Sequence, residues 1–401
     1  MATAKHASSE REAHPGSGHY AHIVGWGMAV PERIMTNDDL AAIVETSDAW
    51  IRERTGIAER RIASERESTA TLGYRAAQNA LDRANILPVD LDLIIVATST
   101  PEHVFPSTAS LIQDWLGAGK AGAFDLSAAC SGFVYALNMA AQAIKSGSIR
   151  TALVVGAETM SRVLDWQDRS TCILFGDGAG AVVLEASTTP GGILSSVLRS
   201  DGAGSDLLCI PTINVRDPEQ HKVNKMTMAG GEVFKFATRV VEESLKEVAA
   251  LAELKMDDLR VIIPHQANQR ILLSAARKLG IEVERFVSNI ERYGNTSAAS
   301  IPIALFEAVE EGRIREGDHV AFVGFGGGLA WAAMVIKWGI PESRSIQTAT
   351  FGRQRRQAFY IWARLRARIG RIRRAITSIP RLFKPSANRL RSLQKKIQRD
   401  L

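Results

Sequence analysis

Leu91-Asp92-Leu93-Ile94-Ile95-Val96 reads as a buried strand, and Leu259-Arg260-Val261-Ile262-Ile263 repeats it about 168 residues further along the chain. Both runs are nearly continuously apolar, the pattern of a strand covered on both faces. A helical pattern precedes each, Thr69 to Ala84 in one case and Glu243 to Leu254 in the other. The correspondence continues downstream. Ala128-Ala129-Cys130-Ser131-Gly132 leads into a helix over Phe133 to Lys145, and Gly294-Asn295-Thr296-Ser297 leads into one over Ile301 to Glu311. Gly147 and Gly312 stop these helices. A strand follows each, Thr151 to Val155 and His319 to Val323, then a glycine-rich turn and a further apolar run, Ala179 to Leu184 and Ala330 to Ile336. One βαβ-type unit has been used twice.

Alternating strands and helices place the chain in the α/β class and predict largely parallel sheets with helices on both faces. Two copies predict two sheets packed through a shared helical layer. A pseudo-twofold between them would bring the Cys130 turn towards His265 and Asn295, at strand ends where open sheets carry their sites. The uncharged run Val320 to Ile336 is broken by Gly324, Gly326, Gly327 and Gly328, which favours two buried strands over a membrane span. The expected organisation is a loose arm over 1–20, a first half over 21–190, a second half over 191–340 and an extension over 341–401.

The chain has 401 residues, 46% of them hydrophobic, enough for a sizeable core. Its three cysteines, Cys130, Cys172 and Cys209, are too few and too scattered for a disulfide framework or a four-thiolate metal site. Reduced thiols and an arm without the apolar core of a secretory signal predict a cytoplasmic protein. Net charge is +6, but residues 341–401 hold 17 Lys and Arg against Glu342 and Asp400, a local +15, so the body carries −9.

Cys130 stands where a strand end meets a helix start, and the unpaired N–H groups there would favour its thiolate. A small buried cysteine is the plainer alternative. His265 follows the apolar strand that ends in Pro264, and Asn295 sits in Tyr293-Gly294-Asn295-Thr296-Ser297, where a cap or turn role would also suit it. A cysteine from one repeat, with a histidine and an asparagine from the other, makes a nucleophile with two hydrogen-bonding partners.

Six ordered stretches carry a specific resemblance: Ser47 to Ile57 (SDAWIRERTGI), Leu126 to Gly132, Leu174 to Gly180 (LFGDGAG), His265 to Arg270 (HQANQR), Tyr293 to Ser300 and Gly324 to Gly328. From about Ala21 to Gly339 the chain resembles the β-ketoacyl-acyl carrier protein synthase III family. The Gly176 to Gly180 run is no dinucleotide fingerprint, because its spacing and the strand after it are wrong.

The resemblance implies the thiolase fold, a five-layer αβαβα arrangement of duplicated βαβ halves, and a homodimer. It implies Cys130, His265 and Asn295 as catalytic residues, with backbone N–H groups of Cys130 and Gly327 as the oxyanion hole. Cys130 would take an acyl group from acyl-coenzyme A and pass it to malonyl-acyl carrier protein with loss of carbon dioxide. No bound cofactor or metal is implied, since acyl-coenzyme A enters as a substrate. Trp50, Arg54, Arg169 and Asn268 match coenzyme A positions, Phe105 and Phe175 acyl-pocket positions, and Arg270 an acyl carrier protein contact. The glycine turn lacks the second cysteine of thiolases that run the non-decarboxylative reaction. A relative that primes a specialised pathway or only transfers acyl groups remains an alternative, as does an interaction protein acting through its tail.

That tail continues about sixty residues past the family pattern. Ala358, Ile361, Leu365, Ile369, Ile372, Ile376 and Ile379 recur at helical spacing among arginines, with Phe359 and Trp362 widening the stripe. A basic amphipathic helix over about Arg353 to Phe383 suits an anionic membrane surface or an acidic partner such as acyl carrier protein; a solvated extension with no role of its own is the plainer alternative. Nucleic acid would be bound only without specificity.

Overall fold

In the computed structural model the described residues are 19–211, 224–341, 358–362, 365 and 369. In chain order the first half contains β1 (Tyr20–Ala29), β2 (Ile34–Thr36), α1 (Asn37–Ala41), α2 (Asp48–Thr55), β3 (Glu59–Arg61), α3 (Thr69–Ala84), β4 (Leu93–Ala97), α4 (Thr108–Leu116), β5 (Gly122–Leu126), α5 (Gly132–Lys145), β6 (Thr151–Thr159), α6 (Arg169–Cys172) and β7 (Asp177–Ser187). The second contains β8 (Gly192–Ser200), β9 (Leu208–Cys209), β10 (Thr227–Met228), α7 (Gly230–Leu251), β11 (Leu259–Pro264), α8 (Gln269–Leu279), α9 (Ile290–Tyr293), α10 (Ser300–Glu310), β12 (His319–Gly326) and β13 (Ala330–Lys337). Local signals set several ends. Ser68 and Thr71 form a capping box at the start of α3, while left-handed Gly56, Gly117 and Gly280 close α2, α4 and α8.

The strands form two sheets, ordered β1-β7-β6-β4-β5 and β11-β12-β13-β8. Under the repeat, β8, β13, β12 and β11 stand for β1, β7, β6 and β4. The place of β5 is held by Phe286, which makes only an isolated parallel bridge to Ile262. The sheets are mixed rather than largely parallel. β4 runs parallel to β5 and β6, and β11 to β12, but β7 is antiparallel to β6 and β1, and β13 to β12 and β8. Helices cover both faces of each sheet, so the antiparallel strands are as continuously apolar as the parallel ones, and apolarity alone did not separate the two directions.

Three apolar clusters define the layers. One packs α3 and α4 on the outer face of the first sheet, one fills the space between the sheets with α5 and α10, and one packs α7 and α8 on the outer face of the second sheet. The result is the αβαβα stack. In the middle layer Phe133 of α5 meets Phe322 of β12, ring centroids 6.5 Å apart.

The halves interlock through their turns. Ala129–Ser131 precedes α5 and Ser297–Ala299 precedes α10, and Ala129 (φ 46°) and Ser297 (φ 49°) are left-handed at equivalent positions. Each turn packs over a glycine of the other half. A Cβ on Gly156 of β6 would come within 2.9 Å of the Ala298 carbonyl carbon, and one on Gly324 of β12 within 2.9 Å of Ser131 Cα. The absence of a side chain at these two strand positions lets the turns close on one another.

Candidate active site

Cys130 lies in the turn between β5 and α5, buried, with Gly326 drawn up against it. A Cβ on Gly326 would sit 2.9 Å from the Cys130 nitrogen and 3.2 Å from Sγ. His265 follows β11 directly, and its N–H donates to the Val323 carbonyl of β12 at 2.8 Å. Asn295 follows the short α9 rather than a strand. Its N–H donates to the Leu174 carbonyl at 2.8 Å and its carbonyl accepts from Gly176 N–H at 3.0 Å, which ties it to the first half.

These three side chains line one narrow cavity of about 80 Å³ together with Phe175, Leu208, Met228, Phe234, Asn268, Phe325 and Gly326. Cys130, Phe175 and Leu208 also line a wider cavity of about 690 Å³, whose walls include Met160, Ile210, Met226, Ser297 and Gly327. Cys130 therefore stands at the junction of two chambers.

Hydrogen bonds restrict what each group can offer. The Ser300 hydroxyl lies 2.7 Å from His265 Nδ1 and accepts weakly from Gln266 N–H at 3.4 Å. Where the hydroxyl gives its own proton to Nδ1, the neutral ring carries its N–H at Nε2. Burial pushes the His265 pKa down to about 3, which keeps the ring neutral, and Phe325 packs edge-on against it at 5.2 Å. Asn295 Oδ1 accepts from Ser297 N–H at 2.8 Å, leaving the amide NH₂ as its donor end.

The thiol differs from the sequence-based expectation. Burial pushes Cys130 up to about 12; the Ser297 hydroxyl opposes the rise and Glu158 adds to it. Desolvation outweighs the helix-start effect that was to favour the thiolate. Glu158 and Ser297 went unnoticed in the sequence. Buried Glu158 near the end of β6 accepts from Thr100 Oγ1 at 2.6 Å, Thr98 Oγ1 at 3.1 Å, Ser99 N–H and Ser297 Oγ at 2.9 Å. Its burial raises its own pKa. An acid near the end of a wholly buried strand was the available signal.

The narrow chamber leads towards a basic, aromatic surface. Asn268 caps α8 by accepting from Arg270 N–H, and its amide donates to the Arg54 carbonyl at 3.0 Å. The guanidiniums of Arg54 and Arg169 each lie 5.4 Å from the Trp50 ring centroid. Trp50, Arg54, Arg169 and Asn268 thus form one connected group. Its lobe is held by the buried Arg60, which donates to Asn37 Oδ1 and the Ile173 carbonyl, while Asn37 holds Asp48 at the start of α2. Exposed Arg270 stacks on Phe234, which lines the chamber, at 5.8 Å.

Phe175 lines both chambers, whereas Phe105 is 86% exposed and lines neither of the two. Its neighbours His103 and Val104 do border the wide chamber. Gly327 lines that chamber together with Cys130.

Two family models match the chain: 3-oxoacyl-[acyl-carrier-protein] synthase III over residues 124–202 and the C-terminal part of the same enzyme over residues 249–338. The β-ketoacyl-[acyl-carrier-protein] synthase III of Roseiflexus sp. (strain RS-1) is 50% identical over 324 residues, 80% of this chain and 98% of that protein. The solved 3-oxoacyl-[acyl-carrier-protein] synthase III of Aquifex aeolicus VF5 is 47% identical, with a TM-score of 0.75 over 79% of this chain and all of that one. The priming β-ketosynthase of the R1128 polyketide biosynthetic pathway is 38% identical, with a TM-score of 0.76 over 80% of this chain and 97% of that one. With half of the aligned residues identical across nearly the whole length of such a relative, on the same duplicated fold, the chain belongs to the β-ketoacyl-[acyl-carrier-protein] synthase III family of condensing enzymes.

Proposed function

We propose that Cys130 accepts the acyl group of an acyl-coenzyme A primer and that the acyl-enzyme then condenses with malonyl-acyl carrier protein to start fatty acid synthesis. The observation that carries this reading is the convergence of Cys130, His265 and Asn295, drawn from both halves, on one narrow chamber. In the first step the Cys130 sulfur attacks the thioester carbonyl and coenzyme A leaves as the thiol with the cysteine proton. Backbone N–H groups of Cys130 and Gly327 hold the oxyanion. In the second, the malonyl carboxylate leaves as carbon dioxide, the electron pair of the broken C–C bond forms an enolate, and the enolate carbon attacks the acyl-cysteine carbonyl; the acyl C–S bond then breaks and the Cys130 sulfur departs, taking up a proton from water to restore the thiol. His265 Nε2–H and the Asn295 amide are two neutral donors suited to the enolate oxygen. Glu158 acts from behind by holding the Ser297 hydroxyl, whose N–H in turn orients Asn295.

The Trp50, Arg54, Arg169 and Asn268 group is the coenzyme A path, with Arg270 at its rim facing the acyl carrier protein. A planar base would stack on Trp50 by displacing one guanidinium. The wide chamber takes the acyl chain against Phe175. A homodimer completes it. β5 is the edge strand of its sheet among the described residues, with Phe124 exposed, and Asp125 fastens the start of α4 by accepting from Thr108 and Ala109 N–H at 2.7 and 2.8 Å. A second copy pairing along this edge would bring Phe105 of the partner subunit over the chamber.

Intact mass after incubation with a panel of acyl-coenzyme A thioesters tests the assignment. One acyl mass is expected on the wild-type chain and none on Cys130→Ser; undiminished acylation of the variant overturns it. Adding malonyl-acyl carrier protein should discharge the acyl group as a β-ketoacyl product, and the panel shows which primer is preferred.

A further inference from the structure

Most of the basic extension, Ile372, Ile376 and Ile379 included, lies outside the described residues. Within the body, one buried acid stands close to the reacting sulfur. Glu158 takes hydrogen bonds from Thr98 Oγ1, Thr100 Oγ1, Ser99 N–H and Ser297 Oγ. Four neutral donors suit a carboxylate ion, which accepts and does not donate. β7 opposes it with Gly178, and Asp177, the next residue along that strand, is bound by Ala63 N–H and Ser161. Ser297 faces two ways. Its hydroxyl donates to Glu158 Oε1 at 2.9 Å and hydrogen-bonds with the Cys130 thiol. Two hydrogen bonds in series therefore join the sulfur to the carboxylate.

The turn does not need that hydroxyl for its shape. Ala129 stands at the equivalent left-handed position of the other turn, φ 46° against 49° for Ser297, so a methyl serves there. Nor is His265 the better acceptor for the thiol proton: burial lowers its pKa to about 3, whereas burial raises that of Glu158. The two sets of groups are also separated in space. Ser297 lines the wide chamber with Cys130, while His265 and Asn295 line the narrow one.

We propose that Ser297 relays the Cys130 proton to Glu158 during acyl transfer, so that Glu158 is the base of the first half-reaction and His265 and Asn295 serve the second; this rests on the acyl-cysteine reading above. The S–H bond breaks towards Ser297 Oγ as the Ser297 O–H proton passes to Glu158. The electron pair left on sulfur forms the new C–S bond to the thioester carbonyl. When the tetrahedral intermediate collapses, the C–S bond to coenzyme A breaks and its electron pair stays on the departing sulfur. The protons then return, from Glu158 to Ser297 and from Ser297 to coenzyme A, and Glu158 ends as it began. A negative charge already buried on Glu158 moves to sulfur, and no second one is created beside it.

The test is the rate of each half-reaction in full-length wild type, Ser297→Ala and Glu158→Gln. Acylation by the acyl-coenzyme A thioester that wild type takes fastest is read by rapid quench and intact mass, and decarboxylation is followed with malonyl-acyl carrier protein alone. Ser297→Ala keeps the N–H that holds Asn295, and Glu158→Gln keeps the shape but takes no proton. Acylation should fall about 10²-fold or more in each variant, and decarboxylation by less than about tenfold. With the relay gone only loss of the proton to solvent remains, so raising the pH from about 7 to about 9 should speed acylation of the variants more than that of wild type. Near-wild-type acylation by Ser297→Ala would overturn the proposal. Equal losses in both half-reactions, or equal gains with pH, would also overturn it and leave Glu158 a structural role only. If Glu158→Gln does not melt cooperatively, Ser297→Ala decides alone. A wild-type chain that takes up no acyl group would instead overturn the acyl-cysteine reading on which the relay rests.

Discussion

His265 and Cys130 are both buried, and burial drives their pKa values in opposite directions, each towards the neutral form. For His265 this separates the half-reactions. If His265 and Asn295 are the enolate donors, changing either to Ala should cost about 10²–10³-fold in decarboxylation while leaving acyl transfer to Cys130 within about tenfold. Equal losses in both would make His265 the base for the thiol. Decarboxylation should also show no ionisation near the ordinary histidine value between about pH 5 and 8. Stability is where the histidine registers. The unfolded chain binds its proton below about pH 6.5 and the native ring does not until about 3, so stability falls as pH drops through that window, by up to about 1.4 kcal/mol per unit. Urea melts at several pH values, comparing wild type with His265→Ala, would check it. For Cys130, a thiol raised to about 12 predicts alkylation by iodoacetamide that keeps accelerating with pH up to at least about 9. A rate plateau near neutrality, read by intact mass, would mean that the helix start prevails over burial.

At the scale of elements, the reciprocal seating of the turns on Gly156 and Gly324 gives a direct prediction. Gly156→Ala and Gly324→Ala each place a methyl where backbone already stands, so each should destabilise by about 1–3 kcal/mol or more, measured by chemical denaturation. An alanine at exposed Gly119, where an added Cβ meets nothing within 4 Å, is the control and should change little. The same geometry explains what could be read beforehand. Helices α3, α5 and α10 and strands β4, β11 and β13 were legible, because apolar period and glycine stops are local properties. Strand direction was not, since two-sided burial erases the difference. Nor was the Ser297 to Glu158 hydrogen bond, which joins residues 139 apart and exists only once the halves have docked. Cys130, His265 and Asn295, which line one chamber, each stand in a recognisable sequence signature, whereas Glu158 is marked in the sequence only as an acid near the end of an apolar strand.

Among the described residues β5 is an edge strand, beside Val104, 93% exposed, and Phe105, and these are the features a second copy would cover. If Phe105 closes the partner's wide chamber, Phe105→Ala should leave acetyl transfer nearly unchanged and extend acceptance to longer primers, with the ratio of rates on long and short acyl-coenzyme A shifting by about tenfold or more. An unchanged ratio would mean that the chamber is closed from within its own chain. Sedimentation velocity on both proteins separates this specificity effect from loss of the dimer.

The crossed packing of the two turns also bears on how the enzyme can be divided and altered. Because the strand glycine beneath the cysteine turn belongs to the half that supplies the histidine, neither half contains a self-sufficient catalytic unit. A fragment ending after β7 would keep its nucleophile but lose the floor beneath it, and the complementary fragment would keep its donors with nothing to act on. Activity is thus a property of the seam, and engineering by exchange of halves between relatives must match the two turns and two glycines as a set of four.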